Sequence, residues 1–416
     1  MLLRHAMRAV SRTRVCTVRH LSAADTVTVS VHEAQSTTAQ ALRMIGWDDE
    51  AADVQAEIMT AAELCGNNQG LVKMFNPSLM APQPGAGKPV VERETATSAA
   101  INANQAPGML AAVTASDLAA DKALENNVIN QCVGCTRSFF TKSFLSGDAA
   151  VLAPSSGEES ASPRHRASVA SMAWRSTRLN AASNLISTQV AVVSAYNTST
   201  SSGQLAFYAE RQAKRGLVCL ALANSPEFVA PSAGASPVFG TNPLAVAVPR
   251  KGQAPFSFDM ATSAVALFGV LTAKATGAPL AEGVAYDASG KVTTDAGAVL
   301  DGGAIATFGG HKGAGLALCV ELLAGALSGG AVVGQEVKKD AKNWGHLFLC
   351  VKPDALVDEF DAKAAAVCKA VKDAGARVPG DRSAAEAAAR VQADELPIPK
   401  AIWESITRTA EQGLAE

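Results

Sequence analysis

The chain lacks an excess of either charge. Its 416 residues carry 36 Lys+Arg against 38 Asp+Glu, a net charge of -2, which offers no electrostatic invitation to nucleic acid or to an anionic membrane. Cysteine is sparse, and eight in the whole chain are too few for a disulfide scaffold. Cys132 and Cys135 form a lone C-x-x-C. A structural zinc site needs a second pair at ligand spacing, so no metal is expected, and the two read as ordinary thiols rather than a redox pair. Charged residues reach only 18% while 48% are hydrophobic, which excludes wholesale disorder. A single core rarely grows past about 250–300 residues, so two lobes or one elaborated domain are expected. Histidine is the scarcity with most consequence: six residues, at positions 5, 20, 32, 165, 311 and 346.

The near-neutral balance hides an asymmetry. Residues 1–24 hold Arg4, Arg8, Arg12, Arg14 and Arg19, with no acid before Asp25. Arg4, Arg8 and Arg12 recur at helical spacing, with Leu3, Met7 and Val10 available for an apolar side, the pattern of a mitochondrial presequence. A secretory signal needs an unbroken apolar run of about 7–15 residues, and Arg interrupts every run here. The expectation is import into the mitochondrial matrix, with cleavage near Arg19–Ser22. Without those five arginines, 31 basic residues face 38 acidic ones, a net charge of -7.

Along the chain, Thr26 to Val31 alternates like a strand, and residues 34–64 show helical periodicity split by Gly46-Trp47 into two helices. A Pro- and Gly-rich loop follows, Asn76 to Pro89. Its Gly85-Ala86-Gly87-Lys88 is not a Walker loop, because Pro82 and Pro89 stand where Gly and Ser/Thr are required. Residues 108–128 read as an Ala-rich helix and 144–166 as an exposed polar loop. A strand–helix–strand rhythm occupies 189–195, Gln204–Arg215 and 217–223, with further strands at Leu244–Val248 and Phe256–Asp259. Residues 313–333 are apolar over the length of a bilayer span. Glu321 at their centre and five glycines favour a core helix entered from a Gly-rich turn, so no membrane span is expected.

Three segments carry chemistry-bearing residues. Gly309-Gly310-His311-Lys312-Gly313-Ala314-Gly315 leads into that apolar helix, and backbone N–H groups at a helix start, beside a lysine, suit a phosphate or carboxylate. Phe239-Gly240-Thr241-Asn242-Pro243-Leu244 is a turn packed with small polar groups. Asp259-Met260-Ala261-Thr262-Ser263 ends a strand, where Asp and Thr can cap N–H groups or meet ribose hydroxyls.

Taken in this order, these segments resemble the malate/L-lactate dehydrogenase family, a non-Rossmann group of NAD(P)-dependent dehydrogenases that also contains ureidoglycolate dehydrogenase and several imine and keto-acid reductases. Val284–Gly290 with Thr293-Thr294-Asp295, Asn343-Trp344-Gly345-His346, and Arg377–Asp381 extend the resemblance, which spans about residues 26–385. It implies a non-Rossmann α/β fold, with a mixed sheet and helical N- and C-terminal parts. It also implies a homodimer, and a dinucleotide (NAD or NADP) acting on a small 2-keto or 2-hydroxy acid. The expected division is a targeting peptide (1–24), a substrate-side part (25–130), an atypical insertion (131–190), a dinucleotide-binding part (191–335) and a C-terminal return to the first lobe (336–416). Ser225, Asp259, Met260, Ala261 and Lys312 match cofactor contacts, and Gly380 matches a weaker one.

The catalytic positions depart from the family pattern. Relatives carry Ser-His-Gly where Asn68-Gln69-Gly70 stands, with Lys73 in the place of a usual Arg. They carry Asn-His-aromatic-Gly where Thr200-Ser201-Ser202-Gly203 stands. A register through Thr136-Arg137-Ser138 supplies no histidine either. Histidine suits proton transfer because its pKa lies near working pH, and general acid–base help is worth about 10²–10⁴ in rate. Gln69, Lys73, Ser201 and His311, beside Lys312, are thus the candidates for catalysis. The two readings are an oxidoreductase with altered chemistry, and a silent structural or regulatory subunit of a mitochondrial assembly that still binds dinucleotide.

Overall fold

The computed structural model describes residues 26–67, 69–125, 189–333 and 343–414. The targeting segment, Asn68, the Cys132–Cys135 pair, the 144–166 loop and the insertion through residue 188 lie outside the described residues.

The chain begins with β1 (Thr26–Val29) and two helices, α1 (Val31–Met44) and α2 (Asp49–Leu64). Each helix starts on a cap. Ser30 Oγ accepts the Glu33 N–H and Asp48 Oδ1 accepts the Ala51 N–H, satisfying amides that have no partner within the helix. Gly46, at φ 111°, makes the turn between them. The loop expected over 76–89 instead opens with two 3₁₀ turns, Leu71–Phe75 and Pro77–Met80. Then come β2 (Val90–Glu94), β3 (Ser98–Asn102) and α3 (Gly108–Glu125). Ala111, Ala115 and Ala119, one face of α3, are fully buried.

After the insertion the order is β4 (Val190–Thr198), α4 (Leu205–Lys214), β5 (Val218–Ala223), β6 (Val229–Ala230), β7 (Leu244–Val248) and β8 (Phe256–Met260). Next are α5 (Leu267–Thr276), β9 (Ala285–Tyr286), α6 (Ala296–Leu300), β10 (Ala304–Ala306) and α7 (His311–Val320), which runs into a π-helical turn, Glu321–Ala326. The described chain closes with β11 (Trp344–Val351), α8 (Phe360–Asp373), α9 (Asp381–Ala393), β12 (Leu396–Pro399) and α10 (Lys400–Gln412).

Seven strands form one sheet in the order β2-β3-β4-β11-β5-β7-β8. Only β3 and β4 run parallel; every other neighbour pair is antiparallel. A Rossmann sheet is mostly parallel, so this is the expected non-Rossmann α/β arrangement. A second sheet, β6-β10-β9, has its own small core with Val270, Val299 and Ile305. β1 pairs antiparallel with β12, and α1 packs against α10.

One expectation needs correcting. The 313–333 run is not a helix buried all round, because Leu318, Leu322, Leu323 and Leu327 are exposed along it. It is buried only on the face bearing Gly313, Ala317, Val320 and Ala324. Among the described residues no helix is long and apolar enough to cross a membrane.

Candidate active site

A row of hydroxyls joins four loops just beyond the end of β8. Ser225 Oγ and Thr241 Oγ1 lie 3.3 Å apart. The Thr241 carbonyl accepts the Thr262 N–H at 2.9 Å and the Thr262 hydroxyl at 3.1 Å. Phe308 N donates to the Thr262 carbonyl, and Ser263 bridges to Thr307. From there Gly309 and Gly310, at φ 56° and 62°, turn the chain into α7, whose first amides receive no side-chain cap. Thr307 Oγ1 donates to the Gly310 carbonyl at 3.0 Å. A Cβ on Gly313 would sit 2.0 Å from the Phe308 carbonyl oxygen, so only glycine permits this fold-back. Lys312 and His311 are exposed on the first turn. These bonds link the loops that carry Ser225 and Thr241 to Thr262, which follows the Asp259–Ala261 strand end, and to the turn that leads into Lys312.

Gly380 comes to the same strand. Its loop packs on β8, with the Pro379 carbonyl accepting the Ser257 N–H at 3.3 Å. Gly380 has φ 92°, and a Cβ there would lie 2.8 Å from Ser257 N. The buried Arg250 reaches Asp381 at 2.5 Å, and Lys372 reaches it at 2.7 Å.

Asp259 has a task that its sequence context does not reveal. Its carboxylate accepts the N–H groups of Ala206 (2.8 Å) and Leu205, capping α4 from across the sheet, because Gln204 at the helix start makes no cap bond. Burial pushes this carboxyl up to about 6, against the pull of those two amides. Asp259 therefore ties the strand end bearing Met260 and Ala261 to the loop bearing Ser201.

Glu321, the carboxylate that interrupts the apolar run, is buried in the π-helical turn. Asn242 Nδ2 donates to one oxygen at 2.8 Å and Asn224 Nδ2 to the other at 3.3 Å. Asn224 Oδ1 in turn accepts the Gly345 N–H at 2.8 Å. This clamp fixes the loops carrying Ser225 and Thr241, and burial raises its carboxyl.

The second half of the site is built from residues 67–73 and 199–204. Asn67 Nδ2 donates to Gln204 Oε1 and Asn67 Oδ1 accepts the Gln69 N–H, both at 3.0 Å. Glu63, raised by burial to about 7, accepts the Leu71 N–H at the start of the next turn. Lys73, on that turn, is 1% exposed. Its Nζ donates to the Gln69 carbonyl at 2.5 Å and lies 4.4 Å from the ring centroid of Phe268, on the first turn of α5. No carboxylate among the described residues pairs with it, and burial alone brings its pKa down to about 7. Ser201 Oγ is buried, with no hydrogen-bond partner among the described residues.

Neither described imidazole on the C-terminal side joins this half. His346 is buried within the sheet on β11 and lowered to about 4, and His311 stays with Lys312. A cavity of about 330 Å³ between the end of α5 and the start of α6, near Lys274 and Asp295, meets none of the candidate residues. The Asp259 cap, the Glu321 clamp and the Lys73–Phe268 contact were missed by sequence reasoning. Only the isolated Glu321 in an apolar run signalled its own importance.

The arrangement can take an anion at the start of α7, beside a second compartment of amide, hydroxyl and amine groups. Residues 168–407 match the family described as malate/L-lactate dehydrogenase. Over 206 residues the chain is 42% identical to Delta(1)-pyrroline-2-carboxylate reductase of Pseudomonas fluorescens, covering 47% of this chain and 61% of that protein. It is 37% identical over 203 residues to (2R)-3-sulfolactate dehydrogenase (NADP(+)) of Chromohalobacter salexigens, covering 47% and 60%. These matches span less than two thirds of the relatives' length. Among solved structures, delta1-piperideine-2-carboxylate reductase from Pseudomonas syringae pvar. tomato superposes with a TM-score of 0.69 at 28% identity, over 92% of this chain and 99% of that one. Malate dehydrogenase from Entamoeba histolytica gives 0.71 at 18% identity, over 94% and 99%, a likeness of fold.

Proposed function

The chain belongs to the malate/L-lactate dehydrogenase family, and from that premise we propose that it is an NAD(P)-dependent oxidoreductase of small 2-keto, 2-hydroxy or cyclic 2-imino acids. One observation carries the reading: the hydroxyl row that joins the Ser225 and Thr241 loops to Thr262, just past the Asp259–Ala261 strand end, and to the Gly309–Lys312 turn. These residues fit a dinucleotide. The uncapped amides of α7 and the exposed Lys312 suit a phosphate, and the close approach of Gly313 to Phe308 fixes the turn that presents them. Met260 and Ala261 lie at the end of β8, and Gly380 packs against its start at Ser257. When bound, the dinucleotide supplies or accepts the hydride. The chain's own residues orient the acid, exclude water and move the proton.

A second reading has its own support. Gln69 and Ser201 stand where relatives carry histidine, and Gln cannot titrate. That favours a silent subunit that keeps dinucleotide binding within a mitochondrial assembly. A matrix location follows from the Arg-rich start. A homodimer is supported by the exposed ridge of Leu318, Leu322, Leu323 and Leu327.

Turnover decides between the two. Purified protein with NADH or NADPH is assayed against pyruvate, oxaloacetate and Delta(1)-pyrroline-2-carboxylate. Oxidation of either cofactor that depends on the acid supports the enzyme. Saturable binding with no turnover of any of the three supports the silent subunit.

A further inference from the structure

Resting on the oxidoreductase reading, we propose that Lys73 supplies the substrate proton that no histidine in this chain is placed to give. Reduction of a 2-keto or 2-imino acid needs a hydride at carbon and a proton at oxygen or nitrogen. The groups close to the two halves of the site can be taken in turn. Asp259 is committed elsewhere, its buried carboxylate accepting the Ala206 and Leu205 amides of α4. Ser201 has a hydroxyl and no base beside it. His311 sits on the exposed start of α7, and His346 lies inside the sheet. Lys73 differs from all of these in place and in chemistry.

Its Nζ stands where three segments meet. Residues 67–70 hold it through the Gln69 carbonyl, Asn67 links that loop to the Ser201 loop, and Phe268 arrives from α5, just beyond the Asp259–Ser263 strand end. An ammonium has three N–H bonds, and one is spent on Gln69. Phe268 covers the remainder with its ring face, an aromatic wall that an incoming planar acid displaces or replaces.

The titratable groups on the elements packed against this turn are Asp49, Glu50, Asp53, Glu57 and Glu63 on α2, Lys400, Glu404, Arg408 and Glu411 on α10, and Lys274 on the helix that carries Phe268. Glu63 is turned to Leu71 N and Arg390. None of them shifts Lys73, whose displacement comes from burial alone. An amine poised near 7 is a competent acid at working pH, whereas a solvated lysine is not.

The step balances. As the C–H bond forms from the hydride of reduced dinucleotide, the π electrons of C=O or C=N move to the heteroatom. The Lys73 N–H bond breaks and an O–H or N–H bond forms. Neutral Lys73 then takes a proton from water. In the oxidising direction, neutral Lys73 is the base.

The test measures kcat/KM for reduction of Delta(1)-pyrroline-2-carboxylate and pyruvate from pH 5.5 to 9.5, together with dinucleotide affinity, in the wild type, Lys73→Met and Lys73→Ala. The wild-type kcat/KM should fall tenfold per pH unit above about pH 7. Lys73→Met should lose about 10²–10⁴-fold with cofactor affinity unchanged, and Lys73→Ala should regain turnover with added ethylamine. A readout without cofactor stands beside these. Burial lowers the Lys73 pKa in the folded chain, so the unfolded chain binds more protons between about pH 7 and 10, and stability rises with pH there. That rise should disappear in Lys73→Met, whose apolar side chain of similar length fills the same space. If Lys73→Met keeps wild-type turnover and pH profile, the inference is overturned and the oxidoreductase reading stands. If the wild type binds dinucleotide but reduces neither acid, both are overturned.

Discussion

The two halves of the site differ in what holds them together. Around Ser225, Thr262 and Lys312, backbone and short hydroxyls do the work, and tight glycines at 309, 310 and 313 leave the surface open. Around Gln69 and Ser201, an amide and a hydroxyl stand at the two positions where the family resemblance leads one to expect imidazoles. A binding surface made of backbone tolerates side-chain drift. A proton-transfer centre depends on the pKa of one group, so losing that group silences it unless another titratable group takes its place. Lys73, buried in the second half, is the group proposed to do so.

Several measurements would break or sharpen this contrast. The largest effect is expected from Gly313→Ala, since the new Cβ would lie 2.0 Å from the Phe308 carbonyl. Overpacking of this kind costs about 1–3 kcal/mol and sometimes more. Urea unfolding should show the loss, and fluorescence titration should show dinucleotide binding falling with it. If stability is unaltered, the α7 turn is not fixed as described.

Glu321→Gln comes next. It places an NH2 against Asn242 or Asn224, leaving a buried donor without an acceptor at a cost of about 1–3 kcal/mol. Cofactor affinity should weaken and the turnover pH profile should keep its shape, because the clamp serves only the binding half. A changed profile would join the two halves more closely than proposed.

Asp259→Asn tests the link between them. The Asp259 pKa is raised by burial from 3.8 to about 6. The folded chain therefore holds that proton more tightly than the unfolded chain, and the resulting stability is lost as pH rises from about 4 to about 6. Thermal unfolding should show wild type losing about 1–3 kcal/mol over that window, a loss the Asn variant lacks. Parallel curves for the two proteins would mean that Asp259 is not held as described.

Much of the fold was legible in the sequence. Helical periodicity split at Gly46-Trp47 marked α1 and α2, and Leu244–Val248 reads directly as β7, because burial on one face writes its period into the chain. The resemblance implied a mixed, non-Rossmann sheet, but the antiparallel order of its strands was not legible, since register depends on partners far away in sequence. The apolar 313–333 run misled on burial, because composition does not say which face of a helix is covered. In the site, the Gly309–Lys312 turn was legible as a helix entry from its glycines. The Asp259 bond to Ala206 and the Lys73 contact with Phe268 were not, because each joins residues more than fifty positions apart and no local pattern announces it.

The most direct test of the central claim is dinucleotide binding to the wild type and to Lys312→Ala, followed by NADH and NADPH fluorescence. Lys312 is exposed, and among the described residues its side chain makes no hydrogen bond or ion pair that holds the fold. A charge-assisted bond to phosphate is worth about 1.5–3 kcal/mol. The account predicts saturable binding by the wild type, weakened about 10–100-fold in Lys312→Ala with no change in Tm. Absence of binding for both cofactors, or equal binding by the two proteins, would contradict it.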